Sequence, residues 1–345
     1  MVPAKPSPSK SSPVAADRRG RLYGAKLSAL VKNNFGLDPS VDVDSESGIA
    51  LGVGAALVRG STAWVLVEEK PERGLGVALT WALRHGASQL HLMVPDGGGA
   101  LARRSAEFAP DVTVWSLSGG SLELQTVPAE PLRDEPPVDE RHLAFVDLIT
   151  ESGADVVIEH GVVSGEVRGL EVCRVVTDQV TGECRLEVGV GSHDREAFGM
   201  MHGETPTRDS LRRITRVVAK HRESGADPHP LNRLGAERAL RSQLIYDPQL
   251  VGAAVLRGAA PATPRPNLKD PIPCVAVGNG INGQPIVVVC STGIDIDVVP
   301  FAADARLFHG APDTELVIAV PERDATSLTR QLAASLRYPA RVIGL

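Results

Sequence analysis

Residues 60–87 and 283–311 repeat one pattern: an apolar run, a turn, and a helical stretch closed by Gly-Ala. In the first, TAWVLVEE leads into GLGVALTWALRHGA; in the second, PIVVVC leads into VVPFAADARLFHGA. Each is followed by an apolar run ending in Val-Pro (QLHLMVP, ELVIAVP), a short helical stretch and a final run (VTVWSL, ARVIGL). Apolar runs this short read as strands covered on both faces, and a helix between two of them calls for parallel pairing. The expected fold class is α/β, with two similar βαβαβ modules, N- and C-terminal, flanking a different middle domain.

Composition marks the boundaries. Residues 1–20 (MVPAKPSPSKSSPVAADRRG) hold almost nothing large and apolar, which predicts a disordered tail. Prolines and charges crowd 128–140 (PAEPLRDEPPVDE), and five prolines fall in 258–273 (GAAPATPRPNLKDPIP). These linkers separate an α/β module at 21–127, an α+β domain at 141–257 and an α/β module at 274–345. The middle domain opens with a helix (HLAFVDLITESGA), runs through strands DVVIEHGVV, GLEVCRVV and CRLEVGVG, and ends in helices at 208–222 and 231–245.

At 43% hydrophobic residues, 23% charged and a mean hydropathy near zero, the chain has ordinary globular composition. It contains no apolar stretch of about 18 residues and no apolar leader behind a basic start, so a cytoplasmic location is expected, with no membrane partner. Four cysteines without a Cys-x-x-Cys pair argue against a disulfide framework or structural zinc site. The formal charge of -6 excludes a wholesale basic coat. Phosphate-loop, dinucleotide, nucleophile-elbow and His-Glu-x-x-His motifs are all missing.

Three places carry candidate chemistry. Glu68-Glu69-Lys70 closes a predicted strand just before a helix. In Glu68-x-Lys70 the carboxylate would bind magnesium and the lysine would steady the attacking water, with Asp44 as second metal ligand. Over about residues 22–95 this order of elements is similar to the core of PD-(D/E)XK nucleases. That resemblance implies a divergent or degenerate metal-dependent nuclease with Glu68 and Lys70 catalytic. The matching positions of the second module hold Ser291-Thr292-Gly293. Only seven lysines stand among 36 basic residues, a high-GC coding bias in which the chain resembles actinobacterial proteins.

The second place is the predicted helix from 208, where Arg208, Arg212, Arg216 and Lys220 fall at i, i+4, i+8 and i+12 opposite Leu211, Ile214, Val217 and Val218. This ridge, with Arg212, Arg216 and Lys220 as phosphate holders, suits DNA or another phosphate polymer, or alternatively the acidic surface of a protein partner of a non-enzymatic scaffold. On adjacent predicted strands, Glu171 and Glu187 could share magnesium, or point to solvent as residues alternating on a half-covered sheet do. The third place is Cys290-Ser291-Thr292-Gly293, where a strand meets a helix and backbone amides could meet a small anion.

Overall fold

The computed structural model of the protein describes residues 13–37, 53–117, 122–191, 195, 208–223, 225, 234–264 and 272–345. The chain divides into two compact units, residues 1–131 with 335–337, and 132–334 with 338–345. It is a mixed α/β protein with three sheets.

Unit 1 opens with helix α1 (Pro13–Phe35). Residues 13–20, expected in a disordered tail, therefore belong to a helix; a proline at the first helical position gives up no intrahelical hydrogen bond. The sheet follows as β1 (Gly54–Arg59), β2 (Thr62–Val67), β3 (Gln89–Val94), β4 (Asp111–Leu117) and β5 (Leu124–Thr126), in that spatial order. β1 and β2 form a hairpin across Gly60-Ser61, where Gly60 takes φ +60°. β2, β3 and β4 run parallel, and β5 returns antiparallel. Helices α2 (Leu75–Arg84) and α3 (Gly99–Ser105) make the crossovers. Leu27, Leu30 and Val31, spaced i, i+3, i+4, bury one stripe of α1 against Leu57, Trp64, Leu66 and Met93. Phe35 ends that stripe, with ring centroids 4.7 Å from His91, 5.8 Å from Trp64 and 5.7 Å from Trp115.

Unit 2 carries two sheets. The first is an antiparallel meander of β6 (Asp155–Glu159), β7 (Val162–Val167), β8 (Leu170–Thr177) and β9 (Cys184–Val188). The run DVVIEHGVV, read as one strand, is two: His160 and Gly161 both take positive φ, as a two-residue hairpin turn requires. The same device at Arg168-Gly169 turns β7 into β8. Helix α4 (Glu140–Leu143) precedes the meander, and helices α5 (Val146–Glu151) and α6 (Arg208–His221) cover one face of it, over Val163, Val167, Val172 and Leu186.

The second sheet is β10 (Ala253–Ala259), β11 (Cys274–Gly280), β12 (Pro285–Cys290), β13 (Glu315–Val320) and β14 (Arg341–Gly344). β10, β11 and β12 are antiparallel, while β12, β13 and β14 are parallel. Helix α7 (Ala236–Tyr246) packs through Leu240 and Leu244 on Ala276, Val288 and Cys290; α8 (Val298–His309) and α9 (Ser327–Ala334) complete the crossovers. Val288, Val289, Val317 and Ile318 are fully buried, each contributing about 1.5–3 kcal/mol of burial free energy. The proline-rich stretch read as the linker 258–273 begins within β10 and leads directly to its partner β11. α7 and β10, assigned by composition to the middle piece, thus join the last sheet.

Both outer sheets share a run of pairings, one antiparallel step into two parallel ones, at β1-β2-β3-β4 and β11-β12-β13-β14.

Candidate anion-binding cleft

Glu68 and Lys70 follow β2 directly. The backbone amides of Glu68 and Glu69 both donate to the Val53 carbonyl, which fixes the turn. The Glu68 carboxylate, largely shielded, accepts from Lys26 Nζ of α1 at 2.6 Å. Glu69 accepts from Arg19 at 3.2 Å and from the Tyr23 hydroxyl at 3.1 Å. Lys70 is exposed, with left-handed backbone (φ 52°, ψ 56°) ahead of the turn Pro71–Arg73. The cation at Glu68 is thus Lys26, and Asp44 lies outside the described residues.

The basic residues of α6 divide into two groups. Arg208 forms an ion pair with Glu151 at 2.6 Å, and Arg212 Nε donates to the Glu151 carbonyl at 3.3 Å, so both are tied to the end of α5. Arg213, Arg216 and Lys220 are exposed. Val217, expected in the buried stripe, is 50% exposed among them. Leu211, Thr215 and Val218, at i, i+4 and i+7, form that stripe instead, and the Thr215 hydroxyl donates to the Ser152 carbonyl at 2.7 Å.

Glu171 neither faces solvent nor meets Glu187 across an open site. It is 1% exposed and accepts from both Arg174 (3.0 and 2.9 Å) and Arg195 (2.9 Å), with Arg238 at 3.4 Å. Arg238 also reaches Glu166 at 2.9 Å and Glu159 at 3.2 Å. Arg241, 1% exposed, donates to both oxygens of Glu166 (3.2 and 3.1 Å) and to Glu159. With Glu187 held by Arg195 and Arg185, four carboxylates meet five buried or half-buried guanidinium groups at 174, 185, 195, 238 and 241. Burial alone would raise the Glu171 pKa, but the hydrogen bonds and charge of Arg174, with Arg238 and Arg195, hold it below the ordinary value. Burial likewise opposes the Arg241 cation, and the Glu166 carboxylate overcomes it, with Glu159 adding to the effect.

At Cys290-Ser291-Thr292-Gly293 the polar groups serve the fold. Gly293 N–H donates to Asp324 at 2.8 Å and the Thr292 hydroxyl to Glu237 at 2.7 Å, so neither is left for an anion. Burial drives the Cys290 thiol pKa far up, leaving it an inert core residue.

Beside that turn lies a cleft of about 1090 Å³ in unit 2. Its walls are the solvent-side face of α7 (Ala236, Ala239, Gln243, Tyr246) and the segments that follow β12 and β13. The carboxyl ends of parallel strands are where open α/β sheets bind ligands. Three arginines from three separate segments line it: Arg168 on the β7-β8 turn, Arg222 just after α6, and Arg323 after β13. Among the described residues that line it, Glu223 is the one acid. Arg168 donates to the Arg222 carbonyl at 2.9 Å, and Arg222 to that of Leu234 at 2.9 Å, which positions both. Arg323 is 86% exposed and lies 3.8 Å from the Asp324 carboxylate. Sequence reasoning missed this cleft, because its arginines are far apart in the chain and belong to no recognisable motif. Compared with known protein families, with curated proteins and with solved structures, the chain matches none of them.

Proposed function

We propose that the protein binds a phosphate polymer, DNA in the first instance, through unit 2, and acts as a binding protein rather than a nuclease. The observation that carries this reading is that Arg168, Arg222 and Arg323, from three separate segments, line one cleft. Arg222 directly continues α6, whose Arg213, Arg216 and Lys220 are exposed. Guanidinium groups pair bidentately with phosphate and remain charged at any physiological pH. A track of such groups reads no base identity, and no Phe, Tyr or Trp ring for stacking single-stranded bases interrupts it on α6.

The test is fluorescence anisotropy of the full chain with labelled duplex DNA, single-stranded DNA and inorganic polyphosphate across a salt series. The Arg216→Ala/Lys220→Ala variant should weaken binding to every sequence and lower the slope of log K against log salt by about 2. Arg168→Ala should weaken it as well. Absence of binding at low salt refutes the reading. Cleavage in magnesium that disappears in Lys70→Ala would restore the catalytic one, which requires Glu68 to exchange Lys26 for the metal and find a partner such as Asp44.

One observation favours a second reading. Val217 places an exposed apolar group amid the basic side chains of α6, a mixture that suits an acidic protein surface with an apolar spot at its centre. Val217→Ser separates the two, since it should leave DNA binding unchanged and reduce binding to a protein partner.

A further inference from the structure

A second set of side chains in unit 2 shares no residue with the cleft. Asp139 caps α4 by accepting from the Arg141 amide at 2.9 Å, and His142 lies three residues on. Cys184 opens β9 and pairs in register with Thr177, the last residue of β8. One Asp139 oxygen, one His142 ring nitrogen and Cys184 Sγ all lie within 4.8 Å of one another, each on a half-buried residue. Thr177 Oγ1 bridges two of them, 2.8 Å from His142 Nε2 and 3.5 Å from Cys184 Sγ.

The independent sign is on the histidine. Its Nδ1 is sealed from solvent and has no hydrogen-bond partner among the described residues. With Nε2–H donating to Thr177, the neutral ring carries its lone pair on that orphaned nitrogen. A metal-ligating histidine is held this way, one nitrogen on an outer acceptor and the other bare.

We propose that Asp139, His142 and Cys184 hold a zinc-class divalent ion, with water in the fourth position. One thiolate, one imidazole and one carboxylate are a borderline-soft donor set that suits zinc and excludes magnesium. A tetrahedral zinc ion sets its ligand atoms about 3.5 Å apart, so the three close by roughly 1 Å, within reach of side-chain rotation. On binding, the Cys184 S–H bond breaks, the S–Zn bond forms and the proton passes to solvent; the thiolate supplies one negative charge to the ion, and the Asp139 carboxylate is shared between the ion and the Arg141 guanidinium. Asp139 also pairs with the Arg141 guanidinium at 2.6 Å, which fixes the carboxylate in place beside His142. Thr177, accepting from His142 and donating to Cys184, is a positioning residue.

The test is titration of the metal-free full chain with Co²⁺, read by the thiolate-to-cobalt charge-transfer absorption. One equivalent should bind, zinc should displace it, Cys184→Ser should abolish the band, and His142→Gln should weaken binding by at least about 100-fold. A measurement without variants runs alongside. Cys184 is the half-exposed member of four free cysteines, the others being buried, so iodoacetamide should modify it alone and zinc should protect it. Absence of a band at tenfold excess of Co²⁺, a band that survives in folded Cys184→Ser, or alkylation at the same rate with and without zinc overturns the proposal.

Discussion

Replacing Arg241 by methionine tests the charged layer of unit 2 most directly. Methionine fills much of the space of the arginine stem but supplies none of its donors. In the native chain Arg241 donates to both oxygens of Glu166 and to Glu159 from a position only 1% exposed. Its removal leaves Arg238 to serve both Glu159 and Glu166, one guanidinium for two shielded carboxylates. Breaking one partner of a buried ionic network costs about 3–5 kcal/mol, roughly 100- to 4000-fold in the unfolding equilibrium. The three tryptophans at 64, 81 and 115 all lie in unit 1. Denaturation followed by far-ultraviolet circular dichroism should therefore show the loss, while tryptophan fluorescence serves as a control for unit 1. The pH dependence identifies the cause. A depressed carboxylate such as Glu171 contributes stability that is present above the unfolded value of about 4.3 and is lost as pH falls through the lower folded value. A buried carboxylate stripped of its cation behaves oppositely, binding a proton more readily folded than unfolded. The stability gap between variant and native chain should narrow as pH falls from 7 to 5. A gap below about 1 kcal/mol at pH 7, or one that does not change with pH, would refute the reasoning.

Three further outcomes are expected. Gly169→Ala should be much more damaging than Gly182→Ala: both glycines hold positive φ, which alone costs about 1 kcal/mol, but a Cβ at 169 would lie 2.2 Å from the Arg238 backbone whereas 182 opens on free space; paired thermal melts compare them. Burial lowers the His91 pKa, against a smaller opposing pull from Asp111, and its Nδ1 accepts from Trp115 at 3.1 Å, so unit 1 should lose stability as pH falls below about 6.5. Tryptophan-monitored melts should show this loss, and His91→Gln should reduce it. Glu68→Gln removes only a partly exposed ion pair with Lys26 and should cost no more than about 1 kcal/mol in urea denaturation, so any larger loss of nucleic-acid cleavage would be chemical in origin.

What the sequence discloses and what it hides follow from the range of each signal. The run PIVVVC and the run ELVIAV are legible as buried strands because the pattern is local and apolar throughout, and β12 and β13 occupy them. The basic periodicity of α6 is equally local, though one residue of phase separates Val217 from the stripe it was expected to join. The carboxylates of β7 and β8 are different. Glu166 alternates with Ser164 and Glu171 stands among apolar neighbours, so each reads as a carboxylate that seeks water, and only the arrival of Arg238 and Arg241 from α7 lets both be buried. The prolines of 258–273 carry ambiguous information, since a long connection between paired strands has the composition of a boundary. Cys184 and His142 are 42 residues apart in number, with no spacing that a metal motif prescribes, and their meeting depends on the β8-β9 register.

The layer between the meander and α7 also constrains how this sequence can change. An apolar interface can drift one methylene at a time, each step costing little. Here a single departure strands a buried charge, whereas exchanging the whole set for apolar groups of similar volume can be close to neutral. Stepwise substitution must therefore cross a valley that a concerted exchange avoids. The pairing of Glu159, Glu166 and Glu171 with Arg238 and Arg241 should then be inherited, or lost, as one block.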